Sequence, residues 1–205
     1  VVALLTMIVV LRLPAMAQPG NLPTRPLVEV HTRLGTMVVA LYDETPELRD
    51  RFLARVRAGE LDSTLFHRVI PGFAIEGGDP ASRHALPGVA LGQVPDTVGL
   101  PLTVVPGLFH RKGALAAAPA GDTPEFGRRS HRDRFFFVLG TTYDSAELDL
   151  VATRNAAMGA PFAYSPEDRL IYATEGGQPR LDGSYTVFGQ VISGIDVLDA
   201  MAQEP

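Results

Sequence analysis

The stretch FHRVIPGFAIEGGDP, residues 66–80, constrains the fold more tightly than any other part of the chain. It reads as a strand from about Leu65 to Ile70, a turn at Pro71 and Gly72, and a second short strand ending at Gly77 and Gly78. Phe66, Val69, Ile70, Phe73 and Ile75 are apolar, so the ionised side chain of Arg68 is costly to bury among them unless it is paired or has a task. Arg68 therefore marks the first candidate functional position.

The remaining pattern is built of similar short pieces. Val28, Val30 and Thr32, then Met37, Val39 and Leu41, alternate about a hinge at Leu34 and Gly35 and predict a β-hairpin with one buried face. A helix follows, with Thr45 as N-cap, Pro46 at its first position, Glu47 favourable to the dipole and Leu48, Phe52 and Val56 four apart; Gly59 ends it. Residues 81–111 carry Pro and Gly at short intervals and read as loop with short strands. Two apolar runs come next, GALAAA and RFFFVLG, separated by PAGDTPEFGRRSHRD. In the second run Arg134, Phe136 and Val138 share one strand face, and Phe135, Phe137 and Leu139 the other. Helices are predicted over 145–159, capped by Ser145, and over 166–175, capped by Ser165. A turn at Asp182 and Gly183, a strand and a closing helix complete the chain. Many short strands with few helices predict a small antiparallel barrel or sandwich.

Composition narrows the function classes. The 205 residues suit one domain, and a formal charge of −5 argues against a nucleic-acid partner, which accumulated Lys and Arg would have to hold. Without cysteine, thiol catalysis and thiolate metal sites are excluded; no two of the five histidines stand at a usual ligand spacing, so neither metal nor cofactor is expected. Residues 1–17, VVALLTMIVVLRLPAMA, end in the small-x-small pattern Ala15, Met16, Ala17 and are expected to be a cleaved signal peptide, which implies an exported protein, periplasmic or secreted. Arg12 and Pro14 leave the run short of the roughly 20 residues a membrane span needs. Residues 18–26 are expected to be a linker and 27–205 the folded domain.

FHRVIPGFAIEGGDP, KGALAAA, RFFFV and LDGSYTVFGQVISGIDVLDAM together, in this order, resemble the cyclophilin-type peptidyl-prolyl isomerases, a likeness that runs from Val28 to Met201. The resemblance implies a mainly β fold: an eight-stranded antiparallel barrel capped by helices, with its active face on the outside. Residues 141–178 look like the helical insertion of some bacterial envelope members. Residue by residue it implies Arg68 as the catalytic arginine, Phe73 and Phe136 as the aromatics that hold the substrate proline, Leu181 as a pocket wall, and Ala118 and Ala120 as the backbone that pairs with the substrate peptide. The chain departs from the family pattern at Ala74, where Met is usual, at Glu76 and Arg134, where two Gln are usual, at Pro119 for Asn, at Arg180 for an aromatic and at Tyr185 for His. Glu76, Arg134 and Tyr185 are thus expected in a rebuilt substrate-binding site. Taken singly, Phe73, Phe136 and Leu181 read as ordinary core residues; only the constellation makes them a site.

The expected partners are proline-containing polypeptides met by a monomer. Three arginines, Arg68, Arg134 and Arg180, against Glu76 suggest a preference for acidic residues beside the proline. Two functions remain open: an isomerase acting on exported proteins, and a low-turnover binding module for proline-containing segments of envelope proteins. A ligand-carrying barrel would leave Arg68 unexplained. Family members usually continue past the closing helix into a strand that pairs with the first, whereas this sequence stops at AMAQEP. Either residues 18–26 cover the edge of the Val28–Arg33 strand or the sequence is a piece of a longer one.

Overall fold

The computed structural model describes residues 3–6, 25–121 and 128–204. In chain order the strands are β1 (Ala3–Thr6), β2 (Leu27–Thr32), β3 (Gly35–Leu41), β4 (Thr64–Phe66), β5 (Arg68–Ile70), β6 (Ala74–Gly77), β7 (Leu100–Pro101), β8 (Ala114–Pro119), β9 (Arg129–Val138) and β10 (Val187–Ser193). They form one antiparallel sheet in the order β4-β1-β2-β3-β10-β8-β9-β6-β5, with β7 paired to β9. The two ends of this path, β4 and β5, are separated in the chain by His67 alone. The sheet must therefore curl until its ends meet, and the His67 N–H donates to the Glu76 carbonyl at 3.0 Å across the seam. Counting β4 and β5 as one strand interrupted at His67, and setting aside the two-residue β7, leaves the expected eight strands.

Alternation along the strands sorts the apolar residues into two bodies. Val28, Val30, Met37, Val39, Leu41, Ile75, Phe135 and Phe137 point inward and are buried. Helix α1 (Pro46–Arg57) closes one side with Leu48, Phe52 and Val56, where Phe52 meets Phe135 edge to face at 5.3 Å. The last helix, Ile195–Met201, adds Val197, Leu198 and Met201 to the same body. The opposite face of β8 and β9 carries Ala114, Ala116, Ala118, Phe136 and Val138, also buried, as a second cluster outside the barrel. The alanines let neighbouring chain approach this outer face closely.

Helix α2 (Ser145–Ala157) and helix α3 (Pro166–Thr174) form the insertion, and the last helix becomes α4. The insertion is pinched at its neck, where the Gly177 N–H donates to the Thr141 carbonyl at 2.9 Å and the Thr141 N–H returns to the Gly177 carbonyl at 3.2 Å. A Cβ on Gly140, whose φ is +70°, would lie 2.2 Å from the Gly177 oxygen, so no side chain fits there. Two caps differ from expectation. The cap of α2 is Asp144, in a reciprocal box with Glu147, because its carboxylate reaches the Glu147 N–H at 2.8 Å. Thr45 stands before α1 but its hydroxyl is turned to the Tyr42 carbonyl instead of to the helix. Ser165 caps α3 as expected.

Ala3–Thr6 runs along the edge of β2, where Leu5 pairs with Thr32 and Thr6 with His31, while Ala3 pairs with Phe66 of β4; of residues 18–26, expected to cover that edge, 18–24 lie outside the described residues. The rest of the expected signal peptide, and all of the expected linker but its last two residues, lie outside the described residues. Among the described residues no helix is long and apolar enough to cross a membrane, and no group of His, Asp and Glu could hold a metal ion.

Arg55 of α1 is buried and joins helix to barrel, donating to the carbonyls of Asp133 (2.6 Å) and Gly78 (3.0 Å) and to Glu60 (3.1 Å). Arg55→Met keeps the packing stem but strands both carbonyls, and is expected to cost about 3 kcal/mol of stability in urea unfolding. An unchanged midpoint would show that water reaches these carbonyls.

Candidate active site

The outer cluster becomes a site because of register. Arg68 pairs with Glu76, Glu76 with Phe136, and Phe136 with Ala116, so β5, β6, β9 and β8 set these residues in one row across the outward face. Val69 and Ile75, one position on, pair with each other and pack toward the barrel core. This answers the question raised by Arg68: its strand buries the neighbours and leaves the guanidinium outside, with the side chain 59% exposed.

Beside this row lies an open cavity of about 270 Å³. Phe136 and Ala118 belong to the sheet, while the Pro71–Gly72 turn delivers Phe73, held by its own N–H to the Ile70 carbonyl at 3.0 Å. Leu181 and Tyr185 come from the segment before β10, and Tyr185 meets Phe136 edge to face at 5.9 Å. Arg68 and Glu76 complete the rim. The cup is thus apolar with a guanidinium at its edge, a shape suited to a small ring whose attached amide reaches Arg68.

Three expected residues fall elsewhere. Arg134 lines an adjoining cleft with His67 and reaches the cup only through Glu76. Ala120 does not line the cup; its N–H donates to the Arg129 carbonyl at 2.8 Å and its own carbonyl accepts from the Asp96 N–H at 2.7 Å. Arg180 is exposed and outside the cup, so Glu76 stands between Arg68 at the rim and Arg134 in the adjoining cleft.

Glu76 bridges the two arginines, with Oε2 at 3.4 Å from Arg68 Nη1 and Oε1 at 3.2 Å from Arg134 Nη1. Arg134 is fixed further by donating to the Gly92 carbonyl. Burial would raise the Glu76 pKa, but His67, Arg134 and Arg68 outweigh it and hold the carboxyl below its ordinary value. The His67 imidazole is 2% exposed and stands 3.7 Å from Glu76, beyond hydrogen-bonding range. Arg68 is held by one long contact, so among the described residues its Nε and Nη2 keep their donor capacity for an incoming group. The nearby GRRSHRDR charges are partly spent: Asp96 pairs with Arg132 at 2.9 Å, and Asp133 takes Arg51 at 2.6 Å.

One feature behind the cup has no signature in the sequence. The His110 imidazole lies nearly parallel to Phe136 at 6.1 Å and is held through Nδ1 by Asp182 at 2.8 Å. The two residues are 72 positions apart, a separation that no local spacing reveals.

Comparison with known proteins agrees with this geometry. The family described as cyclophilin type peptidyl-prolyl cis-trans isomerase/CLD matches residues 27–205. A Streptococcus pyogenes protein named a bifunctional phosphatase/peptidyl-prolyl cis-trans isomerase is 31% identical over 87% of this chain, which spans 34% of that longer protein. A peptidyl-prolyl cis-trans isomerase of Arabidopsis thaliana is 29% identical over 85% of this chain and 81% of its own. A crystal structure of a Cryptosporidium parvum cyclophilin type isomerase, obtained in the presence of the dipeptide Ala-Pro, aligns at a TM-score of 0.56 and 21% identity over 87% of this chain and 86% of that one, a likeness of fold. The curled antiparallel sheet, the outward apolar cup and the match over residues 27–205 identify the chain as a member of the cyclophilin-type peptidyl-prolyl cis-trans isomerase family.

Proposed function

We propose that the protein accelerates rotation about Xaa-Pro bonds in exported polypeptides, with Arg68 as its catalytic residue. The observation that carries this reading is the half-exposed guanidinium at the rim of the apolar cup walled by Phe73, Phe136 and Leu181. Partial double bonding opposes the rotation by ~18–20 kcal/mol, and no covalent bond has to break. The cup holds the pyrrolidine ring while the preceding carbonyl turns. As the prolyl nitrogen pyramidalises, its lone pair leaves conjugation and accepts from Arg68, an interaction that grows toward the twisted state and lowers the barrier selectively. An acceleration of about 10⁴ needs about 5.4 kcal/mol of such differential binding, within reach of a charge-assisted hydrogen bond and positioning together. The apolar run ending at Ala15, Met16 and Ala17 supports export, and cleavage after it would remove Ala3–Thr6 and open the edges of β2 and β4 that this strand joins.

A second reading, a proline-segment binder of low turnover, is favoured by one contact: the Arg68–Glu76 pair competes with the prolyl nitrogen for the guanidinium. NMR exchange in a short Xaa-Pro peptide separates the two. The enzyme requires exchange that Arg68→Ala abolishes; binding without exchange identifies the module.

Glu76→Gln is expected to destabilise the fold, since it leaves Arg68 and Arg134 as neighbouring like charges, whereas adding Arg134→Gln restores stability and raises turnover. A double-mutant cycle should show coupling above about 0.5 kcal/mol; additive effects would make the two charges independent. Because the folded pKa of Glu76 is depressed, its contribution to stability is present above the ordinary carboxylate range and is lost as pH falls through the folded value. The gap in urea midpoint between wild type and Glu76→Gln should therefore close in acid.

Arg68 at the rim and Arg134 in the adjoining cleft outnumber Glu76 between them, so peptides with Asp or Glu flanking the proline should turn over faster than those with Lys, and less so as salt rises. Equal rates at low ionic strength would exclude a role for this charge.

A further inference from the structure

A buried carboxylate joins the insertion to the back of the cup. Asp182 follows Leu181 directly in the chain, and its side chain is fully buried. Oδ1 accepts from the backbone N–H of His110 and from His110 Nδ1, both at 2.8 Å. Oδ2 accepts from the hydroxyls of Tyr164 at 2.8 Å and Tyr172 at 2.6 Å. Four donors fill the four lone-pair sites of one carboxylate, two from the barrel and two from the insertion. A carboxylate can only accept here, so His110 carries its proton on Nδ1, and its ring is presented flat to Phe136 and edge-on to Tyr185.

The same segment is gripped at its backbone. Asn155 of α2 donates to the carbonyls of Pro179 (2.9 Å) and Asp182 (3.3 Å), and the Tyr164 hydroxyl is also 3.1 Å from the Pro179 carbonyl. Gln178 donates to the Gly72 carbonyl at 2.8 Å, in the turn that delivers Phe73. The insertion thus holds the strip carrying Leu181, while Asp182 holds the imidazole that backs Phe136. Burial first, and the Asp182 charge next, raise the pKa of both phenols, so they remain donors wherever the protein is folded.

We infer that Tyr164, Tyr172 and Asp182 are positioning residues for the proline cup: through His110 and Leu181 they set where its walls stand, and the α2–α3 insertion thereby tunes affinity for the prolyl ring. The inference rests on the reading of the cup as the proline site. It separates two roles that a packed insertion would otherwise merge. Rings at 164 and 172 fill space whether or not they bear hydroxyls, whereas only the hydroxyls satisfy Asp182. Removing them leaves a buried carboxylate short of donors, and its relaxation moves the residues it holds.

The test uses Tyr164→Phe, Tyr172→Phe, the double variant and Asp182→Asn, beside wild type and Arg68→Ala. For each, the Kd of a short Xaa-Pro peptide is measured by NMR titration, and KM and kcat by exchange, at a temperature where circular dichroism shows the variant folded. The double Tyr→Phe variant is expected to raise Kd and KM about fivefold with kcat within about twofold, and to shift the Phe136 ring resonances. Each single variant should give part of the effect, which keeps the test valid if the double variant or Asp182→Asn does not fold. Folded variants with wild-type Kd and KM overturn the inference, even if their melting temperatures fall, because the hydroxyls would then serve stability alone. A fall in kcat at unchanged KM also overturns it. Wild type that binds the peptide without Arg68-dependent exchange defeats the isomerase reading, yet the Kd series still decides the positioning role. Wild type that neither binds nor exchanges defeats both.

Discussion

From Phe135 to Val138 strand β9 is buried on both of its faces, and the rest of the structure depends on that constraint. Phe135 and Phe137 fill the interior of the curled sheet, which leaves Phe136 and Val138 pointing away from it. A large aromatic on the outer face of a barrel is tolerable only if something else covers it. Here the cover comes from Phe73 after its turn, from the alanines of β8 and from the segment carrying Leu181 and Tyr185. The cover is incomplete, and the gap it leaves is the cup. The site is therefore a property of how the second, outer cluster is closed, while the barrel beneath supplies the register that aligns Arg68, Glu76 and Phe136.

Charge at the rim obeys the same economy of space. A largely exposed Arg68 needs no partner to remain charged, since guanidinium keeps its proton in either environment. The more enclosed Arg134 does need one, and Glu76 satisfies it while leaning on Arg68 across the strand pair. The Glu76–Arg134 pair is thus locally neutral and leaves Arg68 as the surplus cation. That surplus is available to a substrate in proportion to how weakly the 3.4 Å contact holds it.

The insertion is anchored twice, by the backbone pair of Thr141 and Gly177 at its neck and by the hydroxyls that reach Asp182 from its far side. Between these points its Leu148 and Tyr172 join Phe109, from the chain before β8, in a small apolar cluster. A segment fixed at both ends against the outer face can hold a wall there with little freedom to drift, which is what an incompletely covered cup requires.

Local pattern determined much of this. Alternation assigned the buried residues of β2 and β3 and sorted the three phenylalanines of β9 onto opposite faces, a four-residue spacing placed α1, and capping residues placed α2 and α3, because these signals depend only on neighbours in the chain. The ordered blocks around Arg68, Phe136 and Leu181 pointed to the cup by their likeness to a family, since no single spacing brings those positions together. Matching position to position does not place Ala120 and Arg180 in the cup: beyond the bulge between Ala117 and Pro119 the Ala120 backbone pairs with Arg129 and Asp96, and the Arg180 side chain is exposed while Pro179 and Asp182 beside it are buried. The meeting of β4 with β5 at His67, the covering of the β2 edge by Ala3–Thr6, and the convergence of His110, Tyr164 and Tyr172 on Asp182 were decided by tertiary structure alone. Residues far apart in sequence share a carboxylate only after the sheet has curled and the insertion has docked, and a linear pattern carries no record of that distance.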